Sequence, residues 1–152
     1  MRDEDIDIVA ILETMRTEFS LAGLERLSRH LFAWHWLPSS GISGHSGGIL
    51  IGVKDTTFDV GSMVRGEFFV STEVWEGEIN FKWEVIVVYG PADHTLSQTF
   101  LNEMRKKVEA AMLPLVIGGD FNLICSPLDK SNARVGIPGM RHFNDLMADL
   151  DI

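Results

Sequence analysis

Four polar residues stand where apolar runs end, and all four carry oxygen atoms that could bind a ligand: Glu13, Tyr89, Asp120 and Asn122. The apolar runs over residues 6–12, 85–89 and 114–117 are typical of β-strands. Side chains at strand ends project into a crevice in layered α/β folds. Two carboxylates, an amide and a phenol are hard oxygen donors, which favour Mg²⁺, Mn²⁺ or Ca²⁺ over Zn²⁺. If the three strands run parallel, the four residues converge on one rim.

The spacing of Asp120 and Asn122 adds a geometric expectation. Residues two apart in an extended segment point to the same side. Asp120 and Asn122 should then face the rim while Phe121 turns into the core. Gly118 and Gly119 would let the backbone turn sharply or approach a ligand closely.

Taken singly, three of these residues have ordinary structural interpretations. Glu13 alone is typical of a solvated carboxylate at a strand end, and Tyr89 alone of a half-buried aromatic residue with its hydroxyl at the surface. Asp120 alone could begin an Asx-turn. Only their combination favours a functional site.

The elements that would position these residues alternate between strands and helices. The predicted order is a strand over 6–12, a helix over 20–32, a strand over 49–53, several strands over 57–89, a helix over 95–111, a strand over 114–117 and a short final helix over 140–150. Between 57 and 89 the only turn signals are Gly61, Gly66 and Gly77, which leaves the hairpin boundaries open. This order predicts an α/β or α+β domain in which helices cover a sheet.

The helices are predicted from start signals and apolar spacing. Ser20 is a candidate N-cap, and Thr95 with Gln98 has the capping-box pattern Thr-x-x-Gln. The first helix has four leucines at helical spacing: Leu21, Leu24, Leu27 and Leu31. The second has apolar residues that should face a sheet: Leu96, Phe100, Met104, Val108 and Ala111. The final helix has Met140, Phe143, Leu146 and Leu150.

Three segments resemble motifs of the endonuclease/exonuclease/phosphatase superfamily, and they occur in the family's order. Residues 11–14 (Ile-Leu-Glu-Thr) resemble its Gln-Glu-Thr motif, and residues 88–91 (Val-Tyr-Gly-Pro) resemble its Tyr-x-Pro segment. Residues 118–122 (Gly-Gly-Asp-Phe-Asn) match its Gly-Asp-Phe-Asn signature. In its overall sequence character the chain most resembles the apurinic-endonuclease-like domain of plant non-LTR retrotransposons.

The resemblance implies a fold and a role for each motif residue. The fold is a partial four-layer α/β sandwich of the DNase I-like type, with two layers of it in residues 1–152 as a single incomplete domain. Glu13 would be a ligand of Mg²⁺ or Mn²⁺, held weakly, and Asp120 would orient or deprotonate the attacking water. Asn122 would help to hold the scissile phosphate, and Tyr89 would contact it near the transition state. The implied chemistry is in-line attack on a phosphodiester.

The sequence also departs from the family's pattern. The family's first strand, which carries an active-site asparagine, is expected before Met1, and its Ser-Asp-His motif is expected after Ile152. No role is therefore transferred to a histidine. Leu12 stands where the family usually has glutamine.

Charge and cysteine content bound the partners and the compartment. DNA is the suspected substrate, yet the net charge is −9 and the only cationic cluster is Arg105-Lys106-Lys107, so any affinity for DNA should be weak. No apolar run is long enough to span a bilayer, and no protein partner is predicted. The lone Cys125 and the acidic N-terminus favour an intracellular protein, with the nucleus as one candidate compartment.

Three functional hypotheses follow. The first is a metal-dependent phosphodiesterase: a DNA endonuclease fragment from a retroelement, inactive in isolation. The second is a phosphatase of the same superfamily that acts on a phospholipid or an inositol phosphate. The third is a non-catalytic remnant or binding module.

Overall fold

The computed structural model describes residues 6–28, 31–40, 47–126, 128 and 139–149. In chain order the elements are β1 (Ile8–Leu12), α1 (Leu21–Ser28), β2 (Phe32–Leu37), β3 (Ile49–Lys54), β4 (Asp59–Arg65), β5 (Phe69–Glu76), β6 (Phe81–Tyr89), a 3₁₀ turn (His94–Leu96), α2 (Ser97–Glu109), β7 (Leu115–Asp120) and α3 (Met140–Asp149). None of the helices in this part of the chain is long and apolar enough to cross a membrane.

The strands form two sheets. The small sheet has the order β1-β3-β2 and is antiparallel throughout. The large sheet has the order β4-β5-β6-β7, in which only β6 and β7 run parallel. Because β1 belongs to the other sheet, the three strands do not form one parallel set, which was the condition considered for their convergence.

Two apolar cores hold the layers together. The first lies between the sheets: Ile49, Ile51, Val53, Val70, Val74, Val85 and Val87. The second lies between the large sheet and the helices α2 and α3: Phe68, Phe69, Ile86, Val88, Phe100, Leu101, Met104, Phe143 and Leu146. Each fully buried Val, Leu, Ile or Phe side chain contributes about 1.5–3 kcal/mol. Burial on both sides of β6 therefore fixes the strand that ends at Tyr89.

Helix α1 adds a fourth layer on the outer face of the small sheet. The indole Nε1 of Trp34 donates a 3.2 Å hydrogen bond to Ser28 Oγ at the end of α1. The Trp34 ring lies over Gly52 of β3, where an added Cβ would stand 2.6 Å from the ring. The partial four-layer α/β sandwich is thus confirmed, and it contains elements of all four layers where only two were expected. Strand β3 is buried on both faces, and the continuous apolar run over residues 49–53 is the sequence signal for the extra layers.

Helix α1 is shorter and more exposed than predicted. It ends at Ser28, and of its leucines only Leu24 is buried, at 4% exposure. Leu21 and Leu27 are 78% and 53% exposed. An eight-residue helix that rests on one sheet buries a single row of side chains, which explains the difference. The N-cap prediction is confirmed, because Gly23 N donates to Ser20 Oγ at 3.2 Å.

The start of α2 also differs from the prediction. The Asp93 carboxylate accepts hydrogen bonds from Thr95 N at 2.9 Å and Thr95 Oγ1 at 2.8 Å, which opens the 3₁₀ turn. The Thr95–Gln98 capping box is therefore wrong. Phe100 and Met104 face the sheet as predicted, whereas Leu96 is 41% exposed.

Strand boundaries and turns are corrected in three places. Strand β1 is a half-buried edge strand, because only one side of its backbone pairs with β3, and Ile11 is 39% exposed. Strand β7 continues past Ile117 and includes the two glycines and Asp120. Gly61 lies at a register shift in β4, while Gly66 and Gly77 lie in the connections around β5 as predicted. In α3, Phe143 and Leu146 are buried as expected, and Leu150 lies outside the described residues.

Candidate phosphate-handling site

The residues of the three motifs lie together at one edge of the sandwich. Tyr89 Oη donates a 2.8 Å hydrogen bond to Glu13 Oε1, which joins the large sheet to the small one. Tyr89 pairs in register with Asp120 across the parallel strands β6 and β7. Gly90 N donates to the Asp120 carbonyl at 2.7 Å. The predicted convergence therefore occurs through face-to-face sheets. We call Glu13, Tyr89, Asp120 and Asn122 the motif cluster.

Glu13 stands on a backbone that turns sharply after β1. Its φ is 53°, and that of Met15 is also 53°, in the left-handed region that ordinary residues rarely occupy. The turn is held by Thr14 N to Gly48 O at 3.3 Å and Met15 N to Gly47 O at 3.0 Å. Backbone in this conformation costs about 1–3 kcal/mol per residue and is often found at functional sites. The turn leaves the Glu13 carboxylate exposed to solvent.

Asp120 and Asn122 form an Asx-turn. Asn122 N donates to Asp120 Oδ1 at 2.8 Å, and Asn122 has a φ of 50°, so the segment is not extended as predicted. Asn122 Nδ2 donates to the Gly90 carbonyl at 2.7 Å, which fixes the amide beside Tyr89. Phe121 does enter the core, with its ring 5.3 Å from that of Phe143. The Asx-turn and the rim position are therefore both present.

One of the two glycines before Asp120 allows strands β6 and β7 to pack closely. Gly119 has a φ of 136°, and an added Cβ there would stand 2.0 Å from the Val88 carbonyl oxygen. An added Cβ at Gly118 meets nothing within 4 Å. Gly119 therefore approaches the neighbouring strand β6 closely, and a close approach to a ligand stays a prediction.

The environment of Tyr89 keeps its phenol protonated. Burial, the hydrogen bond to Glu13 and the negative charges of Glu13 and Asp120 raise its pKa from 10.0 to about 12, and only a side-chain hydrogen bond with Asn122 acts in the other direction. At neutral pH Tyr89 is therefore a neutral hydrogen-bond donor.

Two cavities open beside the motif cluster. The first, the polar hollow, has a volume of about 370 Å³, and its described lining is Ala92, His94, Asp120, Asn122, Leu123 and Ile124. The second, the apolar cavity, has a volume of about 320 Å³, and Tyr89 and Ala92 are among its lining residues. Both are at the lower end of the roughly 300–1,000 Å³ that small-molecule sites occupy.

No protein-family model matches the sequence, and no curated protein matches it closely. Solved structures do share its fold. A family protein of the endonuclease/exonuclease/phosphatase class from Bacteroides thetaiotaomicron superposes with a TM-score of 0.54 at 13% identity, covering 78% of this chain and 49% of its own. ANGEL2, a 2′,3′-cyclic phosphatase, gives a TM-score of 0.59 at 17% identity, covering 79% of this chain and 40% of its own. A mannosyl-6-phosphatase from Bacteroides thetaiotaomicron gives a TM-score of 0.55 at 13% identity, covering 78% of this chain and 52% of its own.

The fold is that of the endonuclease/exonuclease/phosphatase family. The chain spans about half or less of the length of these structures, with coverage between 40% and 52% of each. At such low identity the superpositions establish the fold, and the activity of this chain stays a proposal.

His94 is a polar residue at this site that sequence analysis did not select. It lines the polar hollow together with Asp120 and Asn122. Its position three residues after Pro91, in the loop that follows the strand of Tyr89, was the available signal. His142 lies on α3 and His35 on β2. Burial, followed by the charge of Arg65, lowers the pKa of His35. His30 and His45 lie outside the described residues.

The donor set of the motif cluster fits a hard divalent cation better than a soft one. Glu13 and Asp120 supply carboxylate oxygens, and one oxygen of each accepts a hydrogen bond within the cluster. Among the described residues no group of three or more His, Cys, Asp or Glu side chains could enclose a metal. Mg²⁺ commonly keeps several waters and uses one or two carboxylates with a phosphate. Such a site suits weak magnesium or manganese binding.

Proposed function

We propose that the motif cluster is the phosphate-handling part of a metal-dependent phosphodiesterase, descended from a DNA endonuclease similar to that of plant non-LTR retrotransposons. The observation that carries the proposal is the hydrogen bond from Tyr89 to Glu13. It brings the first two motifs together at the strand end where the third begins. The DNA substrate and the retroelement ancestry rest on the resemblance of the motifs alone.

Glu13 is the residue we assign to Mg²⁺ or Mn²⁺. Its carboxylate is exposed, and its only hydrogen-bond partner among the described side chains is the Tyr89 phenol. When bound, the ion would neutralise charge that develops on the phosphate oxygens. With Glu13 as its main protein ligand, affinity for the ion should be low.

The remaining residues of the motif cluster hold the phosphate and the water. Asp120 uses Oδ1 to accept from Asn122 N, which leaves Oδ2 to orient or deprotonate a water in the polar hollow. Asn122 donates one amide proton to Gly90 O, and its side chain also hydrogen-bonds with Tyr89, so it would donate to a phosphate oxygen only by giving up its contact with the phenol. A phenol has one proton, so Tyr89 can donate to a phosphate only when it releases Glu13.

Turnover by this chain alone should be low. None of the described residues that line the polar hollow or the apolar cavity is Lys or Arg. The cluster therefore offers hydrogen-bond donors but no fixed positive charge for a developing oxyanion. Removing one electrostatic stabiliser typically reduces the rate by about 10²–10³.

A phosphatase is the second candidate function. Two of the similar structures are a mannosyl-6-phosphatase and a 2′,3′-cyclic phosphatase. The net charge of −9 also suits a small phosphate ester better than a DNA duplex. The third candidate, a non-catalytic remnant, predicts that neither metal nor phosphate binds at the motif cluster.

Isothermal titration with Mn²⁺, with and without inorganic phosphate, tests the proposed function. We expect weak binding to the wild type that phosphate strengthens, because metal and phosphate share one site. Glu13→Ala should abolish it, whereas Glu78→Ala, which removes an exposed carboxylate in the β5–β6 turn, should leave it unchanged. Equal Mn²⁺ affinity in the two variants would remove Glu13 from the site and reject the proposal.

A further inference from the structure

The apolar cavity is a second feature of the site and lies next to the residues proposed to handle phosphate. It has a volume of about 320 Å³ and shares Tyr89 with the motif cluster and Ala92 with the polar hollow. Its wall is built by apolar side chains from four parts of the chain, among them Leu37, Ile49, Phe68 and Leu96. Of the lining residues, only Tyr89, Gly90 and Pro91 belong to a motif of the sequence analysis.

The wall is held rigidly next to Tyr89. Ile49 is fully buried and Phe68 is 8% exposed, so both form a fixed base. Glu103 on α2 accepts hydrogen bonds from Glu67 N at 2.7 Å and Phe68 N at 3.0 Å. Tyr89 N donates to the Phe68 carbonyl at 2.9 Å, which ties the wall directly to the motif cluster. The cavity is therefore formed before any ligand binds.

The charges at the cavity disfavour an anion. The charged side chains among its described lining residues are Glu67 and Asp93, both carboxylates, and no Lys or Arg is among them. Hydrogen bonds from the Thr95 amide and then the Thr95 hydroxyl lower the pKa of Asp93, so this carboxylate stays charged at neutral pH. A second phosphate placed here would be repelled by these carboxylates. An uncharged apolar group would instead be stabilised, because its surface would leave water and pack against the apolar wall.

We propose that the apolar cavity binds the uncharged apolar group of a phosphate ester whose phosphate lies at the motif cluster. A ring or base of one or two rings matches the volume and the phosphate position beside Tyr89. The proposal rests on the proposed function and narrows its substrate class: the ester carries one phosphate next to an aromatic or aliphatic group, without a further charge on that side.

Nuclear magnetic resonance of the labelled full chain in magnesium buffer tests this inference with two probes, phenyl phosphate and glycerol phosphate. Both carry the same phosphate, and only the first carries an apolar group. Phenyl phosphate should shift the amides of Asp120 and Asn122, which line only the polar hollow, and also those of Phe68 and Leu96 in the apolar cavity. Glycerol phosphate should shift only the first pair. Burial of a phenyl ring should make phenyl phosphate bind about tenfold more tightly.

Matched substitutions separate the cavity from general surface effects. Leu96→Glu places a third carboxylate on the cavity wall at a residue that is 41% exposed, so the core is untouched. Met112→Glu introduces the same charge at a residue that is 94% exposed. Met112 lies shortly before the first residue of β7, at the opposite end of that strand from Asp120. The preference for phenyl phosphate should disappear in the first variant and persist in the second.

Each outcome assigns the failure to one proposal. If both esters shift Asp120 and Asn122 with equal affinity, the proposed function stands and the cavity inference is overturned. An equal loss of preference in Leu96→Glu and Met112→Glu overturns it as well. If neither ester shifts Asp120 or Asn122, the proposed function fails, and the cavity inference fails with it.

Discussion

The phenol of Tyr89 and the carboxylate of Glu13, which are 76 positions apart in the sequence, share a 2.8 Å hydrogen bond across the two sheets. The bond depends on the end of β6, the turn after β1 and the packing between the sheets. Any change in that packing alters the environment of the phenol. Tyr89 is the single tyrosine of the chain, so its ionisation can be followed without interference from another phenol.

Titration of the phenolate absorbance should show a native midpoint of about 12 for Tyr89, compared with 10.0 for a free tyrosine. Glu13→Ala should bring the midpoint down part of the way, because the larger contribution of burial remains. Glu78→Ala is the control and should leave it unchanged. A raised pKa means that the folded state holds the proton more tightly, so this contribution to stability is complete below pH 10.0 and is lost as the pH rises through about 12. A wild-type midpoint near 10.0 would contradict the geometry.

Gly119→Ala should destabilise the protein, while Gly118→Ala should have little effect. The added Cβ at Gly119 would stand 2.0 Å from the Val88 carbonyl oxygen, at a φ of 136°. Overpacking costs roughly 1–3 kcal/mol, and the unfavourable backbone adds a similar amount. The added Cβ at Gly118 meets open space. Urea unfolding of both variants measures the difference, and equal midpoints would show that β6 and β7 do not approach as described.

Lys107→Met should lower stability by about 3 kcal/mol, since it leaves the Glu84 carboxylate charged and without its partner. Glu84 and Lys107 form an ion pair beneath α2, with side chains only 10% and 15% exposed. Lys106→Met removes the same charge at an exposed neighbour and should change stability by less than about 0.5 kcal/mol. Thermal unfolding of the two variants provides the test. Equal shifts would mean that the pair is solvated.

Plasmid nicking by the chain in Mg²⁺ should stay near background, and Asp120→Ala should not reduce it further. The described residues around the motif cluster supply no fixed cation, and stabilisers of developing charge are each worth about 10²–10³ in rate. The assay compares the wild type, Asp120→Ala and a buffer blank. Robust nicking that Asp120→Ala abolishes would contradict the expectation of low turnover.

Local chemistry made the strand ends predictable. Apolar runs ending in Glu13, Tyr89 and Asp120 placed the polar residues correctly, and Phe121 reached the core as its position indicated. Those patterns depend only on neighbours in sequence. From the sequence alone, Asp120 could have been either a site residue or the start of an Asx-turn. The 2.8 Å hydrogen bond from Asn122 N to Asp120 Oδ1 shows that the Asx-turn is formed.

Tertiary contacts account for what the sequence did not predict. The Asp93 cap competes with the Thr95–Gln98 pattern, and the better-placed carboxylate forms the hydrogen bonds. The leucines of α1 have helical spacing, but how many are buried depends on what packs against the helix. His94 could be assigned to the site only from the structure, because the segment after Pro91 folds beside Asp120.

Paramagnetic relaxation by Mn²⁺ is the most direct test of the central claim that the three motifs form one metal-dependent phosphate site. A low concentration of Mn²⁺ added to the isotope-labelled chain should selectively broaden the amide resonances of Glu13, Gly90 and Asn122, which lie on three different segments. The amide of Glu78, in the turn between β5 and β6, should stay sharp, and Glu13→Ala should abolish the effect. Broadening that is confined to one segment, or that persists in Glu13→Ala, would contradict the account.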